Sequence, residues 1–378
     1  MSELKVPHVV IACDKFKGSL SASEACEAIS AGLPPAWTRT LRPIADGGEG
    51  FAETLRHALE GETIKCKVRD PLGRIITASY AIAESGGERV AIMEMAQASG
   101  LHRVSDGRPN IMQSTTYGTG EMLKDAAGHG VDRIVIGLGG SATNDGGCGM
   151  ARALGARFYD RHDKEISGSP NELKEIAHAD LSDLIQLPPI TVACDVDNPL
   201  TGGNGASAVF GPQKGASDSD ISALDAMLDR VARILKRQDY AIKAGAGAAG
   251  GLGFGLMVFC QAKLVPGFDL VAQTLDLENL LKTADMVITG EGSLDAQTLS
   301  GKGPAGIALL ARDLGIISVG IAGRVTKHVT AARLFDHTIS LEDSGKPLDE
   351  LIANAALLLT KETQSNSDQL ARLISAGS

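Results

Sequence analysis

The chain has 378 residues, of which 43% are apolar and 3% aromatic, with 45 glycines. That is enough for two domains with a sizeable core, and it favours an α/β protein packed with Ala, Val, Ile and Leu over an aromatic-rich sandwich. A formal net charge of −10 with no long Lys/Arg run argues against nucleic acid as a partner, and no stretch approaches the roughly 18 apolar residues of a membrane span.

The N-terminal MSELKVPHVVIACDKF lacks the basic and apolar regions of a secretory signal, so a cytoplasmic protein is expected. His8-VVIAC then predicts a buried parallel strand. Ser21 and Glu24 form a capping-box pattern that opens a helix, with Gly32 as its expected stop. A second strand precedes Asp46, and FAETLRHALE reads as a helix stopped by Gly61. The rhythm changes from Thr63, where apolar and polar residues alternate on both sides of Asp70-Pro71-Leu72-Gly73, a turn signal. Two antiparallel strands and a third at Arg89-VAIMEM follow.

Helix–strand alternation returns with Gly120-EMLKDAAGHG, the strand Arg133-IVIG, a glycine-rich loop Gly137–Met150 and the strand Ile190-TVAC. Apolar residues at 221, 224, 227, 228, 231 and 235 mark one face of a helix. The Gly/Ala-rich stretch 245–255 reads as a crossing back to the first domain. Met286-VITG, the helix Pro304-AGIALLARDL and Ile317-SVGIAG restore the strand–helix rhythm. Together these predict a Rossmann-like parallel-sheet domain formed by both chain ends, residues 1–64 and 246–378. A mixed α/β domain of residues 65–245 is inserted, with the active site expected in the cleft between them.

Six strand-like runs end in polar Gly/Asp loops: VVIAC-DKFKGS, RPIA-DGGEG, IVIG-LGGSATND, ITVAC-DVDNP, MVITG-EGSLD and SVGIA-GRVTK. Ligands of open parallel sheets bind beyond the carboxyl ends of strands. Asp14, Asp46, Glu49, Asp145, Asp195, Glu291 and Asp295 would gather there with Lys15, Lys17, Lys302 and Arg324. That mixture suits phosphoryl transfer: carboxylates hold Mg²⁺ and orient a hydroxyl, cations neutralise phosphate, and glycine amides approach phosphate closely. Taken singly, each Asp reads as readily as a turn former or helix cap.

Other signatures are weaker. There is no Walker A loop. Gly245-AGAAG250 matches the dinucleotide fingerprint in letters but follows no apolar strand. The eight histidines show no HExxH spacing, which disfavours a His-ligated metal. Cys13, Cys26, Cys66, Cys148, Cys194 and Cys260 form no CxxC pair, so free thiols are expected. On residues alone, a small-anion sensor with no catalysis and a dehydrogenase built on GAGAAG remain alternatives to a kinase.

Six blocks in order carry a resemblance: ACDKFKGSLSASEA, PIADGGEGFAETL, GLGGSATNDGGCGMARALGA, ACDVDNPLTGGNGASAVFGPQKGA, GAAGGLGFGL and ITGEGSLDAQTLSGKGP. Over roughly residues 7 to 340 the chain resembles the class I bacterial glycerate kinases. The resemblance implies ATP- and Mg²⁺-dependent phosphorylation of (R)-glycerate to 2-phosphoglycerate in glyoxylate or sugar-acid catabolism. It also implies two α/β domains around a cleft. Glycerate and ATP are then the partners, and nothing decides between a monomer and a homo-oligomer.

Placed on these blocks, Asp195 or Asp46 is expected to accept the glycerate hydroxyl proton, with Lys15 beside the reaction and Glu291 and Asp295 on the metal. Asp14, Lys17, Ser19, Gly47, Gly48, Asn198, Gly290, Gly292, Ser293, Lys302 and Arg324 are expected at substrate or phosphate. Gly139, Gly140, Ser141, Thr143 and Asn144 are expected to cradle ATP phosphates.

Overall fold

The computed structural model describes residues 6–45, 50–104, 110–296, 298 and 303–377. Fourteen strands run among them, beginning His8–Ile11 (β1), Thr38–Leu41 (β2), Glu62–Arg69 (β3), Ile75–Ser85 (β4), Glu88–Glu94 (β5), Arg133–Gly137 (β6) and Arg157–Asp160 (β7). They continue with Glu165–Ile166 (β8), Ile176–Asp180 (β9), Ile190–Ala193 (β10), Lys263–Val265 (β11), Met286–Leu294 (β12), Ile317–Val325 (β13) and His337–Ser340 (β14). The sheets are ordered β14-β13-β12-β1-β2, β11-β10-β6-β5-β4-β3 and β8-β7-β9. The chain divides into two compact units, one of Met1–Asp46, Glu53–Glu60 and Val271–Ser378, the other of Gly47–Ala52 and Gly61–Leu270.

In the first unit every strand pairing is parallel. The chain steps from β1 to β2 on one side, while β12, β13 and β14 extend the sheet on the other. The order therefore reverses between β1 and β12, and the carboxyl ends of such strands are where ligands find a crevice. Val9, Ile11, Met286, Ile288, Val319 and Ile321 pack with Cys26 and Ile29 of the helix Ala22–Gly32 and Leu358 and Leu359 of the helix Ala355–Ser365. Ser21 and Glu24 form the expected capping box.

The two glycine stops read differently in three dimensions. Gly32 ends its helix buried against a neighbour, where a Cβ would lie 2.4 Å from the Thr360 carbonyl. After the helix Phe51–Ala58 it is Glu60, at φ 53°, that takes the left-handed turn. Gly61 instead lets the chain pass Ala83, whose Cβ would be 2.9 Å away.

In the second unit an antiparallel meander, β3-β4-β5, joins the parallel strands β6, β10 and β11 through the parallel pair β5–β6. The turn at Asp70 forms as its letters suggest. The buried carboxylate accepts the Leu72 and Arg74 N–H groups, each at 2.9 Å, and Gly73 adopts φ 86°. The expected boundaries at 64/65 and 245/246 move. A cut at 64 would split β3, which pairs with β4 from Glu62 to Arg69, and β11 belongs beside β10. The segment 245–255 is therefore no crossing: it lies in the core of the second unit, with Ala246, Ala248, Leu252 and Phe254 packed there. The antiparallel sheet β8-β7-β9 has no counterpart in the sequence reading, because its strands are short and polar.

Candidate active site

The first unit brings polar groups together where its strand order reverses. At the end of β1, the Asp14 N–H donates to the Gly290 carbonyl of β12 at 2.8 Å. Asp14 is 7% exposed, and its Oδ1 accepts the Lys15 N–H at 2.6 Å. The runs MVITG and SVGIAG were expected to end in loops, yet β12 and β13 continue to Leu294 and Val325. Glu291 is in register with Ala322, and Ser293 with Arg324. Each strand supplies the other's backbone partners, so the glycines and polar residues need no loop.

Beyond Gly290 the acids are linked by hydroxyls. Thr298 Oγ1 donates to Glu291 Oε1 at 2.9 Å and accepts the Asp295 N–H at 3.0 Å. Ser293 Oγ donates to Asp295 Oδ2 at 3.5 Å. The helix Pro304–Leu314 begins here, and a Cβ on its cap Gly303 would lie 3.7 Å from Asp14 Oδ2. The first amides of a helix have no partner within it, and its amino end carries the positive end of the dipole, which favours a negative group. Among the described residues no group of three or more His, Cys, Asp or Glu could hold a metal ion. Glu291 and Asp295 nevertheless offer hard oxygen donors, and Mg²⁺ needs only one or two carboxylates where phosphate and water complete its shell.

The glycine-rich loop after β6 is built in the opposite way. Thr143, Asn144 and Asp145 are fully buried. The Asp145 carboxylate accepts the Thr116 N–H at 2.7 Å and hydroxyl at 2.9 Å, and the Gly147 and Gly149 N–H groups at 3.1 Å. Burial pushes this carboxyl above its ordinary range, and those four donors act against the rise. Lys214 is equally enclosed, and its Nζ donates to the Thr143 carbonyl at 2.8 Å. Burial pushes its amine down to about 7, with the charge of Asp145 opposing.

Behind the loop stands the segment 245–255. A Cβ on Gly250, which has φ 68°, would lie 1.9 Å from the Thr143 carbonyl, and one on Gly255 would lie 2.7 Å from Gly147 Cα. The GxGxxG-lettered stretch thus lets two backbones meet where no side chain fits.

The expected phosphate cradle is corrected accordingly. Thr143 and Asn144 turn into the second unit: Asn144 Nδ2 donates to Ser207 Oγ at 3.0 Å, while Thr143 Oγ1 and Asn144 Oδ1 find no partner. Ser141 is 8% exposed, so Gly139 and Gly140 are the open part of the loop.

The other expected residues divide between site and scaffold. Lys15 and Lys17 are exposed at the end of β1, and Gly292 lies against the Lys17 amide, 3.3 Å from its would-be Cβ. Asp195 is exposed at the end of β10, where its Oδ1 accepts the Gly267 N–H at 3.0 Å and caps the helix Gly267–Thr274. Ser19 Oγ donates to the Ile352 carbonyl at 3.0 Å, tying the β1 loop to a distant segment, and Asn198 Nδ2 closes its own loop onto the Asn204 carbonyl at 2.8 Å. Gly290 is a close-packing position, because a Cβ there would lie 1.9 Å from the Ile321 carbonyl. Arg324 is exposed and 3.6 Å from Glu342. Asp46, Gly47, Gly48, Glu49 and Lys302 lie outside the described residues.

Two residues escape the sequence reading. Thr298 links Glu291 to Asp295, but an isolated threonine carries no sign of that role. Lys214 sits in GPQKGA, where its small neighbours hint at tight packing yet nothing local announces a buried amine.

The glycerate kinase family model matches residues 9–374. A glycerate kinase of Halalkalibacterium halodurans is 44% identical over 371 residues, covering 94% of this chain and 96% of the relative. The glycerate 2-kinase of Escherichia coli is 42% identical over 359 residues, covering 92% and 93%. A crystal structure assigned as glycerate kinase 2 from Salmonella typhimurium LT2 superposes with a TM-score of 0.87 at 41% identity, covering 97% of this chain and 99% of that one. A family model spanning nearly the whole chain, relatives of this likeness and a shared fold agree with the acid-bearing strand ends: the chain belongs to the glycerate kinase family, and it is a kinase.

Proposed function

We propose that the protein transfers the γ-phosphoryl group of ATP to the 2-hydroxyl of (R)-glycerate, giving 2-phosphoglycerate. The observation that carries this is the linked Glu291–Thr298–Asp295 group beside Asp14 at the strand-order reversal of the parallel sheet. A family relative named glycerate 2-kinase supports the position of transfer.

In this reading Glu291 and Asp295 hold Mg²⁺, which when bound neutralises charge building on the transferred phosphoryl group. Lys15 and Lys17 draw in an anionic group by charge, and the amino end of the helix Pro304–Leu314 adds amides that have no partner within the helix. Asp14 orients the Lys15 backbone through its 2.6 Å bond. In the second unit, Gly139 and Gly140 present main chain that a phosphate can approach. The base is Asp195 or Asp46; Asp195 is exposed at the end of β10, and its Oδ1 accepts the Gly267 N–H, which fixes the direction of the carboxylate.

The test is ADP release on mixing protein, ATP, Mg²⁺ and (R)-glycerate, with the product read by proton-coupled ³¹P NMR. A phosphate on the secondary oxygen couples to one proton and gives a doublet. A triplet would move transfer to the primary oxygen, and binding of glycerate without ADP release would end the kinase reading for this substrate.

A further inference from the structure

The Gly140 carbonyl accepts the Leu101 N–H at 2.8 Å and the Ala142 N–H donates to the Ser99 carbonyl at 2.9 Å, and further bonds hold residues 143–146 of the loop Gly137–Met150. Asp145 gathers four donors, Asn144 donates to Ser207, the Gly146 N–H donates to the Gly250 carbonyl at 3.1 Å, and Lys214 donates to the Thr143 carbonyl at 2.8 Å. In the first three the donors are neutral amide and hydroxyl groups. The fourth places an amine 1% exposed against a main-chain oxygen. An apolar side chain of the same length would fill that space without desolvating a charge, so filling space does not account for a lysine there.

Direction does account for it. The donor pulls the Thr143 carbonyl inward, and in a trans peptide the Asn144 N–H must then point the opposite way. Thr143 Oγ1 has no partner among the described residues, so the Thr143 side chain does not fix this peptide, while Asn144 is tied to Ser207 through Nδ2. Gly250, having no side chain, leaves room for the Thr143 carbonyl to lie against it, since a Cβ there would be 1.9 Å from that oxygen. Lys214 is thus the cationic donor that fixes the Thr143 carbonyl in the loop whose exposed end is Gly139 and Gly140.

We infer that Lys214 is a positioning residue, holding the Thr143 peptide so that the Gly139–Gly140 main chain is presented in one conformation to a phosphate-bearing ligand. The inference rests on the kinase reading for the identity of that ligand, though not for the mechanical role.

The test uses the full-length chain carrying Lys214→Met or Lys214→Arg, with two readouts. Amide hydrogen exchange over residues 139–147 is expected to quicken about tenfold or more in K214M while the melting temperature is retained. In steady state the ATP KM of K214M is expected to rise about tenfold, with a smaller change in K214R, which keeps a cationic donor. Unchanged exchange in K214M overturns the positioning role whatever the activity. Faster exchange with wild-type KM and kcat also overturns it, because the loop would then not serve the ligand. A K214M that does not fold makes Lys214 a structural residue and overturns it too. If the wild-type chain releases no ADP with glycerate, the kinase reading fails by itself. The ligand arm is then run by titrating MgATP into wild-type and K214M protein by calorimetry, where equal affinities would defeat the inference.

Discussion

Two strand ends rich in glycine, hydroxyl and acid are built in opposite ways. In the last residues of β12 and just beyond it, Glu291, Ser293 and Asp295 are half-buried and linked by hydroxyl contacts. After β6, Thr143, Asn144 and Asp145 are enclosed, and Asp145 accepts four hydrogen bonds from its own unit. Glycine, hydroxyl and acid occur in both. What separates the two is how far distant segments enclose the polar groups.

The sharpest way to break this contrast is Gly250→Ala. A Cβ at 1.9 Å from the Thr143 carbonyl cannot be absorbed by a side-chain shift, so the variant should lose more than about 4 kcal/mol of stability. Soluble, cooperatively melting protein would show that the two backbones do not interlock as described.

Asp145→Ala comes next, at about 3–5 kcal/mol by chemical denaturation. It strands four donors and deprives Lys214 of its opposing charge. A loss below about 1 kcal/mol would place Asp145 with the exposed acids instead.

Glu291→Gln should behave in the reverse manner. Turnover is expected to fall about a hundredfold, roughly 2.7 kcal/mol, with melting little changed. A stability loss with normal turnover would make it a scaffold residue like Asp145.

A titration sharpens the same division. In the folded chain the Lys214 amine gives up its proton near pH 7, while unfolded it holds that proton up to its ordinary 10.5. Between these values the unfolded chain binds more protons, so stability rises with pH, by about 1.6 kcal/mol from pH 7 to pH 8.5. Denaturation curves of K214M should lack that rise, and a slope equal to wild type would assign it to other groups.

The smallest effect is expected at Lys17→Ala. Its ammonium is exposed and screened, so a KM increase of about threefold to tenfold for ATP or glycerate, steeper at low salt, is predicted. No change in either KM would remove the β1 loop from the anion-binding edge.

Much of the scaffold is written in short-range chemistry. The apolar runs at His8, Arg133, Ile190, Met286 and Ile317 are strands, the Ser21–Glu24 box opens its helix, and Asp70 with Gly73 turns the chain. The apolar face from 221 to 231 packs as its spacing requires, with Leu224, Met227, Leu228 and Val231 buried. These features depend on neighbours within one turn of helix or one strand. The six ordered blocks also carry the family, because their spacing along the chain is itself the signal.

Only the tertiary structure decided what each polar letter does. Gly32, Gly61 and Gly290 look like punctuation and are sites of close approach to Thr360, Ala83 and Ile321. Thr143 and Asn144 look like a phosphate cradle and face inward, because Gly250, Ser207 and Lys214 arrive from far along the chain. A sequence shows which groups are polar and how they repeat. Whether such a group meets solvent, ligand or a buried partner depends on contacts between segments distant in sequence, and local periodicity carries no record of them.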